Sequence, residues 1–251
     1  MTSLGETPLL AEYPAFQEAI VKRPIRDVIA DKIAMLIASG ILQVGDALPS
    51  ERDLAVSLSV SRDAVRSAVQ ALAARGILEI SHGARTRVLA ADVGPVMVGL
   101  AQARAVDAYD IDSVHAARML VERQLVLDAA LRHKTPVVKN LHQLLNAQRA
   151  TLNDPVRFLI CDREFHVAIY QASGNRLLAD FATDLYTYMM EHRRRAVAQQ
   201  GAVEQSYHEH CAIVTALEAG DGEAAAAAFS VHTGRIYATT QMLLEKGVRK
   251  S

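Results

Sequence analysis

Between Pro24 and Ser39 the apolar residues Val28, Ile29, Ile33, Leu36 and Ile37 recur at intervals of three and four. That spacing gathers them on one face of an α-helix, and Pro24 suits its first turn. The stretch "SGILQVGDALP" breaks the pattern with Gly40, Gly45 and Pro49. Ser50 then caps a second helix that ends near Leu58, with Asp53 at the third position after the cap. Ser61 caps a third, which runs to Arg75 and is stopped by Gly76. "ILEI" and "TRVL" alternate as two short strands around "SHGAR". From about Asp92 onward nearly everything has helical period: roughly 93–104, 110–132, 136–150, 154–172, 175–199, 203–219 and 223–246. Breaks fall at "YDID", "HKTP", "LNDP", "ASGN", "QQGA" and "AGDGE".

Three helices followed by a hairpin is the order of a winged helix-turn-helix. The expected fold class is therefore mainly α. An N-terminal winged helix-turn-helix with a small β-hairpin wing precedes a C-terminal all-α bundle of six or seven helices. The expected parts are a flexible arm (1–22), a winged helix-turn-helix DNA-binding domain (23–90) and an all-helical domain (91–251). With 251 residues, half of them hydrophobic, the chain has material for such cores. Net charge is −1 overall, but residues 20–90 hold 10 Lys/Arg against 7 Asp/Glu, the only positive part of the chain. A local +3 makes sequence-independent phosphate attraction mild. The 2 cysteines, Cys161 and Cys211, give no disulfide framework and suit a reducing, cytoplasmic setting. No apolar run is long enough to span a membrane, and the N-terminus lacks the basic-then-apolar pattern of a signal peptide.

The third predicted helix carries a puzzle. Val65, Ala68, Val69 and Leu72 share its apolar face, while Arg62, Arg66 and Gln70 lie on an adjoining arc about 80° wide. Cations at a helix N-terminus oppose the dipole, so the placement makes sense if an anion docks there. The start of a recognition helix is what enters the major groove, and arginine matches both guanine edges and phosphate. An ordinary solvated helix with two surface arginines is the competing reading. The stretch "LQVGDALPSERDLAVSLSVSRDAVRSAVQALAARGILEI" resembles the DNA-binding domain of the GntR family of bacterial regulators. The match runs without gaps over about residues 25–89. The resemblance implies that Arg52, Ser61, Arg62 and Arg66 form the DNA-contacting set and that His82, at the wing tip, reaches the minor groove. "SHGARTRVL" departs from the family's common two-glycine wing, with Arg85 in the second glycine's place. It is closer to the wing of the fatty-acid-responsive member, although Asp63 replaces that member's Thr.

Downstream, "CDREFHVAIY" sets Asp162 and His166 four apart, about 40° apart on one helix face. Carboxylate and imidazole at this spacing are half of a metal site. His210 and His232 each lie about ten residues from the "AGDGE" turn, so two antiparallel helices bring them to the same height. Any one of these histidines could equally be an ordinary core or surface residue. The region 110–240 is similar to the metal-binding effector domain of the FadR subfamily of that family. The resemblance implies the ligand set Asp162, His166, His210 and His232, with His208 outside it. Zinc is the first expectation for the ion, with nickel, manganese or iron open. The resemblance also places Arg118 in the effector cavity, against a plain ion pair with Glu122, and matches Asn175, which equally serves as a helix cap. "HRRR" (192–195) reads as a solvated face by default, with a DNA-flanking patch or a pocket wall as alternatives, and the two cysteines as small buried hydrophobes.

The expected function is a ligand-responsive transcriptional regulator, a repressor that binds palindromic operator DNA as a homodimer. A small organic or sugar acid at the metal site would modulate it. No enzymatic motif with a positioned general base is present. The competing classes are a metalloenzyme fused to a DNA-binding module, revived by turnover of candidate acids, and a fatty-acyl-responsive regulator with a structural metal. Identity of the effector, operator and ion is not written in the sequence.

Overall fold

The computed structural model describes residues 23–81, 85–93, 109–132, 135–187 and 190–248. The first part contains α1 (Ile25–Ala38), α2 (Glu51–Leu58), α3 (Arg62–Ala74), β1 (Leu78–Glu79) and β2 (Arg87–Val88). Ser50 and Ser61 accept the backbone N–H groups of Asp53 and Ala64 and so cap α2 and α3, as their sequence positions predict. Between these helices Ser59 takes a left-handed conformation (φ 53°), an unusual one for a residue with a Cβ. It sets the sharp angle of the helix-turn-helix. The strands pair antiparallel, Leu78 opposite Val88 and Glu79 opposite Arg87. A third contact, Ala47 with Arg87, ties the α1–α2 connection to the wing. Ile29, Ile33, Val65, Leu72, Leu78 and Val88 close one core beneath all these elements.

The second part is helical throughout the described residues: α4 (Ile111–Leu131), α5 (Thr135–Arg149), α6 (Pro155–Ala172), α7 (Arg176–Thr187), α8 (Met190–Val197), α9 (Ala202–Glu218) and α10 (Gly222–Val248). Asp110 and Asp154 cap α4 and α6, and Pro155 occupies the first turn of α6. Leu125, Phe165, Ile169, Tyr170, Ile213 and Phe229 share its core. Of the single helix expected over 175–199, the described residues show α7 and α8, with 188 and 189 outside the described residues. The expected arm 1–22 and helix 93–104 lie outside the described residues, apart from Val93.

The two parts are joined by packing as well as by chain. Ile41, fully buried, sits among Phe158, Leu159, Tyr186, Met190 and Val203 of the helical part. From α6, Val156 and Ile160 reach back against the core of the first part. Arg157 on α6 binds Asp53 on α2 at 2.9 Å, and Arg194 on α8 binds Asp46 at 2.8 Å and the carbonyl of Ile41 at 2.5 Å. Helix α6 thus touches the DNA-binding part with its first turns while its middle faces the interior of the bundle.

Candidate metal centre and DNA-reading face

The middle of α6 holds Asp162 and His166, one turn apart and both buried. Helices α9 and α10 run antiparallel from the Asp221 turn and carry His210 and His232, each wholly shielded from solvent. The expectation of equal height holds: their Nε2 atoms are 3.3 Å apart. His166 Nε2 lies 3.3 Å from His232 Nε2, and Asp162 Oδ1 lies 3.4 Å from His210 Nε2 and 3.9 Å from His166 Nε2. All four ligand atoms fall within 4.8 Å of one another. A tetrahedral shell with metal–nitrogen bonds of 2.0–2.1 Å has edges of about 3.3 Å, so three of these separations already match.

The outer partners fix which nitrogen faces inward. His210 Nδ1 is 2.8 Å from Gln148 Oε1, and His232 Nδ1 is 2.8 Å from Glu209 Oε2. Both Nδ1 atoms therefore face outward partners and both Nε2 atoms face the centre; on neutral His210 that Nε2 presents a lone pair. His166 Nδ1 faces the Tyr170 hydroxyl at 3.4 Å. Burial, and then the neighbouring His232, push the His210 imidazole down to about 3. Burial and the two other imidazoles likewise hold His166 well below its ordinary value. Both are neutral near pH 7, which is the ligating form. Burial works to raise the Asp162 carboxyl, but His210 and Arg193 outweigh it and hold it below the usual range, so it stays anionic. Glu209 is held at about 2: burial opposes this, but hydrogen bonds from His232 and Arg235 prevail. Three imidazoles and one carboxylate thus converge on one centre, a donor set of the kind that holds a divalent cation.

Around this cage lie residues that sequence reasoning did not assign. Tyr186 donates its hydroxyl to Asp162 Oδ2, and burial keeps that phenol protonated. Arg193 is buried, stacks on the Tyr186 ring with its guanidinium carbon 4.1 Å from the centroid, and reaches Asp162 Oδ2 at 3.5 Å. It belongs to a run expected to be solvated; only Arg195 of the three arginines is exposed. Arg118 pairs with Glu122 through Nε at 2.9 Å and Nη2 at 2.8 Å, and Tyr170 donates to the same Glu122 oxygen at 2.6 Å. Arg118 also lies 5.9 Å from the Tyr186 centroid, so the ion pair forms beside the cage. Asn175 caps α7, its Oδ1 accepting from Leu178 N at 3.2 Å. His208 points to solvent, outside the ligand set as expected. Cys161 and Cys211 are half-buried, and burial pushes the Cys161 thiol up to about 11.

On the other part, Arg52, Arg62 and Arg66 are exposed, with the apolar side of α3 (Val65, Ala68, Val69, Leu72) turned to the core. Ser61 is the cap of α3. Arg66 leans on Glu51 at 3.0 Å, a pair half-open to solvent that a phosphate can displace. His82 lies outside the described residues.

Comparison with known proteins agrees with both halves. The HTH-type transcriptional repressor NanR of Cronobacter sakazakii is 28% identical over 250 residues, covering 97% of this chain and 92% of that protein. The HTH-type transcriptional regulator LutR of Bacillus subtilis is 27% identical over 219 residues, covering 85% of this chain and all (100%) of that one. Among solved structures, E. coli McbR/YncC shares the fold with a TM-score of 0.54 at 18% identity, over 89% of this chain and 100% of that one. No helix among the described residues is long and apolar enough to cross a membrane. Residues 25–88 match the bacterial regulatory proteins of the gntR family, which bind operator DNA and are not enzymes, and residues 113–235 match the FCD domain. The chain belongs to the GntR family of DNA-binding transcriptional regulators, with an FCD domain of the FadR-like kind as its second half.

Proposed function

We propose that this regulator is a metal-dependent sensor of small carboxylic acids that represses a metabolic operon. Residues 23–90 are the reading head and residues 91–251 sense and dimerise. Two heads of a homodimer then meet two half-sites of a palindrome. Arg52, Arg62 and Arg66 contact phosphates or base edges from the exposed side of α2 and α3, Ser61 sets the start of the recognition helix, and His82 serves the wing. Repression is the activity named for the NanR relatives, and it is carried over here as part of the proposal.

The observation that carries the reading is the convergence of Asp162 Oδ1 and three imidazole Nε2 atoms, two pairs of them 3.3 Å apart. Asp162, His166, His210 and His232 hold the ion, zinc first, with nickel, manganese or iron as alternatives. The bound ion supplies a Lewis-acid position for an acid's oxygens. In this reading Arg118 is part of the cavity wall and Asn175 is the cap of α7. Helix α6 carries two ligands and also docks on the reading head through Arg157, Val156 and Ile160. An acid that prefers one seating of α6 thereby prefers one placement of the heads, which is the only way binding can shift operator affinity.

The test combines elemental analysis with operator mobility shifts over a panel of hydroxy, keto and sugar acids. One ion per chain is expected, lost in His166→Ala and His232→Ala, together with an acid that changes operator affinity only in the loaded protein. Full metal content in both variants rejects the cage.

A further inference from the structure

Two arginines lie against the Tyr186 ring beside the cage, and their hydrogen bonding is not alike. Arg118 has committed Nε and Nη2 to Glu122 Oε1, at 2.9 and 2.8 Å, so the pair is already neutral. Arg193 is equally secluded, with 6% of its side chain exposed, yet among the described residues its ion pair, with Asp162, is a single long contact of 3.5 Å. Its Nη1 has no hydrogen-bond acceptor among the described residues. Its Nη2 reaches Asp162 Oδ2 only at 3.5 Å, and that oxygen already takes the Tyr186 hydroxyl. A buried guanidinium N–H without an acceptor is rare and expensive, because desolvation is not repaid by a bond. The ring beneath it fixes its plane and its position.

Asp162 shows how such a group is reached. One oxygen, Oδ1, faces His210 Nε2 at 3.4 Å, while the other faces Arg193. A single carboxylate therefore spans the gap between the ligand atoms and this guanidinium. A second carboxylate lying alongside Asp162 can do the same, with one oxygen toward the ion and the other accepting from Nη1. We propose that Arg193 is the direct anchor of the effector's carboxylate, and that Arg118 acts behind it by holding Glu122 and Tyr170 in place. This rests on the metal-dependent sensing reading above and adds to it the residue that selects for an anion. The fork suits carboxylate over amide or alcohol, so neutral analogues of an effector are excluded at this residue.

The experiment uses the full-length protein loaded with Co²⁺, whose visible absorption reports the coordination shell, and acetate as the minimal carboxylate probe. Wild type is expected to show a saturable spectral change with acetate and none with acetamide. Arg193→Gln is expected to weaken acetate binding tenfold or more, while keeping one ion per chain and the acetate-free spectrum. Arg193→Lys, which keeps the charge but not the fork, should fall between. Unaltered acetate affinity in Arg193→Gln overturns the proposal. So does loss of the ion together with acetate binding, since that assigns Arg193 to supporting Asp162. Should wild type itself fail to respond to acetate or to any panel acid, the sensing reading falls as well, a result distinct from the first two.

Discussion

Each imidazole of the cage is held by a partner on its far side, and that partner decides its protonation. Gln148 and Glu209 sit on the Nδ1 side of His210 and His232, so both Nε2 atoms face the centre. A pH dependence follows for the metal-stripped protein. The folded His210 titrates at about 3, whereas an unfolded histidine titrates near 6.5. Between those values the unfolded chain binds a proton that the folded chain refuses, so stability is full above about pH 6.5 and falls as pH is lowered. Melting temperatures of stripped protein should drop steadily from pH 7.5 to 5; a flat profile would contradict the burial of a neutral His210. At this scale the sequence was informative where spacing forced convergence, as for Asp162 with His166 and for His210 with His232. It was uninformative for Arg193, which hides in a basic run whose average reading is a wet surface. Glu209 gave no signal because its role depends on which way α10 presents His232 and Arg235.

Helices and caps were legible because their causes are local. Ser50, Ser61 and Asp154 cap where a polar residue precedes an apolar period, and the structure sets α2, α3 and α6 there. For α3 the apolar stripe alone identified the buried side, and what remains exposed is the arginine-bearing arc. Replacing Arg66 with alanine removes an exposed pair with Glu51, worth about 0–1 kcal/mol, so thermal stability should barely change. Operator affinity should fall several-fold or more, with a shallower salt dependence. Titration of labelled operator at two salt concentrations checks both, and unchanged affinity would remove α3 from the reading role.

At the scale of the molecule, the two parts share a broad contact. Sequence patterns report which residues are apolar, not which body they pack against, so Ile41 read as part of a loop. It is buried among α6, α7, α8 and α9 side chains. Ile41→Ala leaves a cavity there and should destabilise the protein by about 2–5 kcal/mol, seen as a lowered melting temperature. In mobility shifts it should also blunt the effect of an acid on operator binding, while acid binding to the loaded protein persists. An undiminished acid effect would show that this contact does not carry the signal.

Arg193 and Arg194 are neighbours on one short helix, the first turned to Asp162 and the second to Asp46, whose carbonyl accepts the N–H of Val88 in the wing. The proposed acid site and the reading head are thus linked through adjacent residues of α8. The exchange must then run in both directions: whatever factor the acid imposes on operator affinity, the bound operator imposes on affinity for the acid. If the proposed acid does shift operator affinity, a chain seated on its promoter reads a different concentration threshold from one free in solution.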